Sequence, residues 1–201
     1  MKPKNYFNDI YQKLAKIEGY RSRAAFKLIQ INDKFDILNR KKNILDLGCA
    51  PGSWIQVIIK KLNLKDNLKI VGVDIRNMKP IKNVIFIKSD VFSDDIILKI
   101  NELYPNGIDL ILSDMAPNIT GNKYYDSANA QALLDRSFFI AKKFLIQGGD
   151  YVAKFFQSQE TIEFINNLNI YFQKVRIFKP KASIKNNNEM FLIAKKYLIK
   201  N

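Results

Sequence analysis

Short apolar runs recur along this chain, separated by stretches with helical spacing. They predict strands near residues 43–48, 69–74, 84–88, 108–113 and 149–156, with helices between them. Strand–helix alternation of this kind implies a mostly parallel sheet covered by helices on both faces. Two helices precede the first run. One spans Tyr6 to Ile17. The other spans Arg23 to Phe35, where Ala25, Leu28, Ile29 and Asn32 give a partly helical period. The end of the chain differs. Lys174–Phe178 and Met190–Ala194 are apolar runs separated by a polar, Asn-rich loop, and they predict an antiparallel hairpin. The expected architecture is therefore α/β: a seven-stranded, mostly parallel sheet with an antiparallel C-terminal hairpin. With no internal repeat or linker, residues 1–201 read as one domain whose first 39 residues form a helical N-terminal part.

Composition narrows the chemistry. At 201 residues one compact domain with a sizeable core is expected. No apolar run is long enough to span a bilayer, and Met1-Lys2-Pro3-Lys4 does not begin a signal-peptide pattern. The single cysteine, Cys49, permits no intramolecular disulfide and fits a reducing compartment. The absence of histidine excludes His-dependent triads and, with one cysteine, argues against a metal site. Acid–base work falls to Lys, Asp, Glu or Tyr. The net charge of +14 is concentrated at the ends: residues 1–34 contribute +5 and residues 174–201 contribute +7. If the ends meet, they form a polyanion-binding face; otherwise the lysines merely solubilise the chain.

Candidate chemistry begins at Asn43–Val57, NILDLGCAPGSWIQV. A buried strand breaks at Gly48 and Gly52 into a turn that opens a helix. The spacing is not the G-x-G-x-x-G of dinucleotide folds, so an NAD-type dehydrogenase is disfavoured. Close approach of backbone to an adenosine-like ligand is one reading and a structural glycine turn is the other. Asp74 ends the second strand where α/β nucleotide folds place a ribose-binding carboxylate, or it caps the strand. Asp90 follows the third strand, as an acceptor for an adenine amino group or as a helix N-cap. Asp114 reaches the carboxyl edge of the sheet after the fourth strand. Lys154 lies in the fifth among apolar residues, where partial desolvation favours the neutral amine. Lys27 sits among apolar neighbours on a helix, and Glu189 is the only acid of the basic C-terminal segment.

The segments YRSRAAFKL, DLGCAPGSW, GVDI, SDMAPNITG, AKFFQ and NEMFLIA run in order from about residue 20 to 197. Together they resemble the FtsJ/RrmJ family of ribosomal RNA 2′-O-ribose methyltransferases. The resemblance implies a Rossmann-like methyltransferase fold, S-adenosylmethionine (SAM) as cofactor, and RNA as partner, most directly a uridine of large-subunit ribosomal RNA. It implies a catalytic set of Lys27, Asp114, Lys154 and Glu189, and SAM binding by Gly48, Gly52, Trp54, Asp74, Asp90 and Asp114. SDMAPNITG is closer to the ribosomal enzymes than to the tRNA enzymes, whose segment usually reads SDGAPDVTG; tRNA is the alternative substrate. Cys49 and Ser53 replace small residues more usual in the family, and both are themselves small.

Methyl transfer needs a ribose oxygen in line with an electrophilic methyl group, so positioning can supply most of the acceleration. Lys154 is the expected general base, with burial and Lys27 opposing its charge. Asp114 would orient Lys154, and Glu189 would orient Lys27 or a substrate hydroxyl. The bland alternative for these four residues is two buried salt bridges with no catalytic part; a catalytically silent RNA-binding protein on the same scaffold is a reading from another class, against which the intact four-residue set argues. Arg21, Arg23, Lys179 and Lys181 are expected to grip RNA phosphates. Tyr124 and Tyr125, in a loop from Asn118 to Gln131, could stack on an unpaired base. A monomer is expected, in the cytoplasm, nucleolus or an organelle (mitochondrial) matrix.

Overall fold

The computed structural model describes residues 6–62, 68–184 and 188–198. Lys2, Lys4, Lys185 and Lys200, which contribute to the terminal charge, lie outside them. Two helices, α1 (Tyr6–Ile17) and α2 (Ala24–Phe35), precede strand β1 (Asn43–Leu47). Then follow α3 (Ser53–Leu62), β2 (Lys69–Asp74), β3 (Val84–Lys88), α4 (Asp95–Leu103), β4 (Ile108–Ser113), α5 (Lys123–Phe144) and β5 (Leu145–Phe156). Helix α6 (Gln159–Asn167) and a 3₁₀ turn lead into β6 (Phe172–Phe178) and β7 (Glu189–Tyr197). The strand order is β3-β2-β1-β4-β5-β7-β6. Strands β1 to β5 are parallel; β7 pairs antiparallel with both β5 and β6. This is the mostly parallel α/β sheet with an antiparallel C-terminal hairpin that the apolar pattern predicts.

Both sheet faces are buried, which is why the central strands read as continuous apolar runs instead of alternating ones. Ile44, Leu110, Leu112, Val152 and Ile193 pack toward α2 and α3 with Trp54, Ile55 and Ile58. Leu45, Leu47, Ile111, Tyr151 and Leu192 pack toward α4 and α5 with Ile100, Phe138 and Ile140. Parallel strands place their carboxyl ends on one edge, so Leu47, Asp74, Asp114 and the stretch of β5 at Lys154 converge there.

Two boundaries depart from the sequence pattern. Strand β5 starts at Leu145 because Gly148 (φ +78°) and Gly149 absorb a register shift opposite Ile108 and Leu110. The expected loop from Asn118 to Gln131 ends early: α5 begins at Lys123, with the Asn122 side chain accepting from the Tyr124 and Tyr125 amides at 3.1 and 3.3 Å. Its first two turns carry no apolar stripe, so periodicity could not reveal them. Tyr124 and Tyr125 therefore stand on a helix, with Tyr124 91% exposed.

Candidate active site

Lys154, Asp114, Lys27 and Glu189, spread over 163 positions of sequence, form one continuous chain of alternating charge at the carboxyl edge. Lys154 Nζ lies 3.0 Å from Asp114 Oδ1 and donates to the Asp114 main-chain carbonyl at 2.6 Å. Lys27 Nζ stands 3.8 Å from the same Oδ1 and 2.8 Å from Glu189 Oε1. Ser183 Oγ donates to Glu189 Oε1 at 2.7 Å, and the Phe191 ring lies 5.5 Å from the Lys27 ammonium. Lys27, Lys154 and Glu189 are all buried. Burial opposes ionisation of Asp114, but Lys154 and Lys27 outweigh it and hold its carboxyl below the usual range. Two cations and two carboxylates thus neutralise one another in a shielded cluster.

The glycine loop is shaped by protein as much as by any ligand. Gly48 has φ +76°, and a side chain there would meet Met115 at 2.7 Å. Gly52 has φ +104°, and its missing Cβ makes room for Arg21 Nη1, Ile81 and Met78. The Trp54 side chain is buried: its indole N–H donates to the Ala24 carbonyl at 2.8 Å and its ring packs near Phe191. Any ligand contact from Trp54 therefore falls to its main chain. Asp74 Oδ2 accepts from the Ala50 amide at 2.8 Å, and Oδ1 accepts from the Arg76 amide at 2.8 Å. The Arg76 guanidinium also sits on this carboxylate and donates to the Ala50 carbonyl. Asp74 thus ties the loop to β2, as its strand-capping reading expects, while its position at the strand end keeps the diol reading open. Asp90 is not a helix N-cap, because α4 starts at Asp95. Its Oδ1 accepts from the Phe92 amide at 3.0 Å in an exposed turn.

Arg21 is engaged with main-chain carbonyls. Its Nη1 donates to the Pro51 and Lys79 carbonyls at 2.8 and 2.7 Å, and its Nη2 to the Pro80 carbonyl at 3.1 Å. A guanidinium bonded to three carbonyls clamps the glycine loop to the segment after β2. Around it, the Arg21 amide donates to Gln56 Oε1 and Gln56 Nε2 donates to the Gly19 carbonyl. Ser22 Oγ and Ser53 Oγ lie 2.8 Å apart. Ser53 therefore has a purpose of its own, bonding the glycine loop to the segment that carries Lys27. Sequence reasoning missed Arg76, Gln56 and Ser183; none stands in a pattern that separates it from an ordinary polar residue. Among the described residues no cluster of side chains could hold a metal ion.

Arg23 precedes α2, and Lys179 and Lys181 are exposed near the end of β6. The two ends of the chain do meet. Ala182 packs with Ala15 and Phe26, its amide donates to Gln30 Oε1 at 3.3 Å, and Phe178 lies against Phe35.

Comparison with known proteins agrees with this geometry. A model of the FtsJ-like methyltransferase family matches residues 20–197. A protein of Ehrlichia chaffeensis named ribosomal RNA large subunit methyltransferase E is 43% identical over 186 residues, covering 92% of this chain and 87% of that one. A crystal structure from Plasmodium falciparum, assigned as a ribosomal RNA methyltransferase, superposes with a TM-score of 0.81 at 36% identity, covering 90% of this chain and all of the other. A methyltransferase-fold protein from Streptococcus mutans in complex with SAH, 16% identical, shares the fold with a TM-score of 0.50 over 83% of this chain and 97% of its own.

Proposed function

The chain belongs to the FtsJ-like methyltransferase family, and on that footing we propose that it transfers a methyl group from SAM to a ribose 2′-hydroxyl of RNA, with a uridine of large-subunit ribosomal RNA as the substrate. The observation that carries this reading is the Lys154–Asp114–Lys27–Glu189 chain at the sheet's carboxyl edge. The residues present fit the cofactor. Three carboxylates, Asp46, Asp74 and Asp114, gather beneath and around the glycine loop, and both Asp46 oxygens are buried without a hydrogen-bond partner. A molecule carrying a sulfonium and an ammonium answers the unpartnered Asp46 carboxyl. Gly48, Gly52 and the main chain at Trp54 would seat it, Asp74 its ribose diol and Asp90 its adenine amino group.

When bound, SAM would supply the electrophilic methyl carbon. Lys154 would take the proton from the ribose hydroxyl that accepts the methyl group. Asp114 fixes Lys154 by carboxylate and carbonyl together. Glu189, itself held by Ser183, fixes Lys27.

The deciding experiment incubates the purified protein with isotope-labelled SAM and either large ribosomal subunits or bulk tRNA, both from cells lacking the enzyme. Label at a ribose 2′-oxygen of large-subunit RNA is expected. Label confined to tRNA would replace the substrate, and absence of label in both would remove the activity.

A further inference from the structure

Among the described residues near the site, Asp46 is a buried acid with neither an ion pair nor a hydrogen-bond partner. It lies in β1, fully shielded from solvent, between Gly72 of β2 and Leu112 of β4 in register. Strand alternation puts it on the face of Ile44, toward α2 and α3. Neither carboxylate oxygen has a hydrogen-bond partner. An ionised carboxylate so placed is costly, because burial removes its water and nothing replaces it.

Its neighbours make the cost larger. Asp74, at the end of β2, has Arg76 and the Ala50 amide; Asp114, after β4, has Lys154 and Lys27. Both acids keep their own cations and leave none for Asp46. The Cys49 thiol, in the loop above, is pushed upward by burial and by Asp46 and Asp74, so it supplies no charge. Burial first, then Asp114 and Asp74, push the Asp46 carboxyl well above the usual carboxylate range.

We propose that Asp46 holds a proton in the cofactor-free protein and gives it to solvent when a cationic cofactor enters, its carboxylate then serving as the counter-charge for that cofactor. The proposal rests on the SAM reading above and adds to it that binding is coupled to release of one proton. The site would then bind the positively charged cofactor more tightly as pH rises. Asp46 acts as a positioning and charge-matching residue and touches no reacting atom.

The test is calorimetric titration of the cofactor-free protein with SAM, for wild type and Asp46→Asn, in two buffers of different ionisation heat and from pH 6 to 8.5. The Asn variant copies the neutral acid and cannot ionise. Wild type is expected to release close to one proton more than the variant. The two affinities should approach each other at the acid end and diverge by about tenfold or more at the alkaline end. Equal proton counts, or an affinity ratio constant across the range, would overturn the inference while leaving SAM binding intact. Failure of wild type to bind SAM would overturn the cofactor reading itself. If the variant does not fold, the proton count of wild type alone decides, after subtraction of the cofactor's own ammonium ionisation; a count of zero overturns the inference.

Discussion

Lys154 is held by Asp114 twice, through the carboxylate at 3.0 Å and the main-chain carbonyl at 2.6 Å, so its nitrogen is aimed before any substrate arrives. If that nitrogen removes the ribose proton, Lys154→Ala should lower methyl transfer by about 10² or more while SAM affinity barely changes. Lys154→Arg separates charge from basicity, since arginine stays protonated. Near-normal turnover by the Arg variant in a single-turnover assay would show that position 154 supplies only a cation. Asp114 makes a second prediction. Its lowered pKa means that its pairing stabilises the fold above the unfolded carboxyl pKa, and that this contribution fades as pH falls through the folded value. Asp114→Asn should cost about 3–5 kcal/mol at neutral pH, because Lys154 loses its counter-charge and Lys27 is left with Glu189 alone. Urea unfolding of the two proteins should show that gap shrinking in acid; a gap independent of pH would assign the loss to packing. At this scale the sequence was informative about residue type and less so about what each side chain touches. Lys27, Asp114, Lys154 and Glu189 carried their pairing in their motifs. Trp54 and Arg21 did not, because an indole or a guanidinium bonded to a carbonyl leaves no sequence pattern.

Helices and strands were legible where apolar spacing was strong, as in β1 to β4, and blurred where it was weak. Gly148 and Gly149 hid the start of β5, and the polar first turns of α5 read as loop. The seam between residues 19–24 and the glycine loop was invisible for another reason: its acceptors are mostly main-chain carbonyls. Yet this seam sets the distance between the segment bearing Lys27 and the loop expected to hold the cofactor. Arg21 bridges them through the Pro51 carbonyl and ties in the Lys79 and Pro80 carbonyls after β2, and Gln56 and the Ser22–Ser53 pair add to it. Arg21→Ala is therefore expected to cost about 1–3 kcal/mol of stability and to weaken SAM binding, although Arg21 sits on no expected cofactor atom. Arg21→Lys should rescue little, since one ammonium cannot reproduce the fork. Thermal unfolding and calorimetry check both. Unchanged stability with loss of RNA affinity alone would return Arg21 to the phosphate-gripping role.

For the whole molecule, the question left by composition was whether two basic ends, +5 and +7, share a face. They pack together through Ala15, Phe26 and Ala182, through Phe35 on Phe178, and through Lys195 donating to the Phe35 carbonyl at 2.7 Å. Lys34 lies over the Phe178 ring at 4.6 Å, so positive charge from both ends of the chain gathers at one junction. Sequence could count these charges but not bring them together, because contacts across some 150 positions depend on the sheet order β5-β7-β6. Each phosphate that such a surface neutralises releases condensed counterions, so RNA affinity should fall steeply with salt. Because Arg21 is engaged elsewhere, the informative variant changes Arg23, Lys179 and Lys181 to alanine and keeps Arg21. Its slope of log affinity against log salt should flatten by about 0.7 per lost contact on single-stranded RNA, or about two in all. Melting temperature should hold near wild type, since these positions lie outside both main cores. An intact slope in the folded triple variant would place RNA on a different face, and the lysines of the two ends would then be solubilising charge.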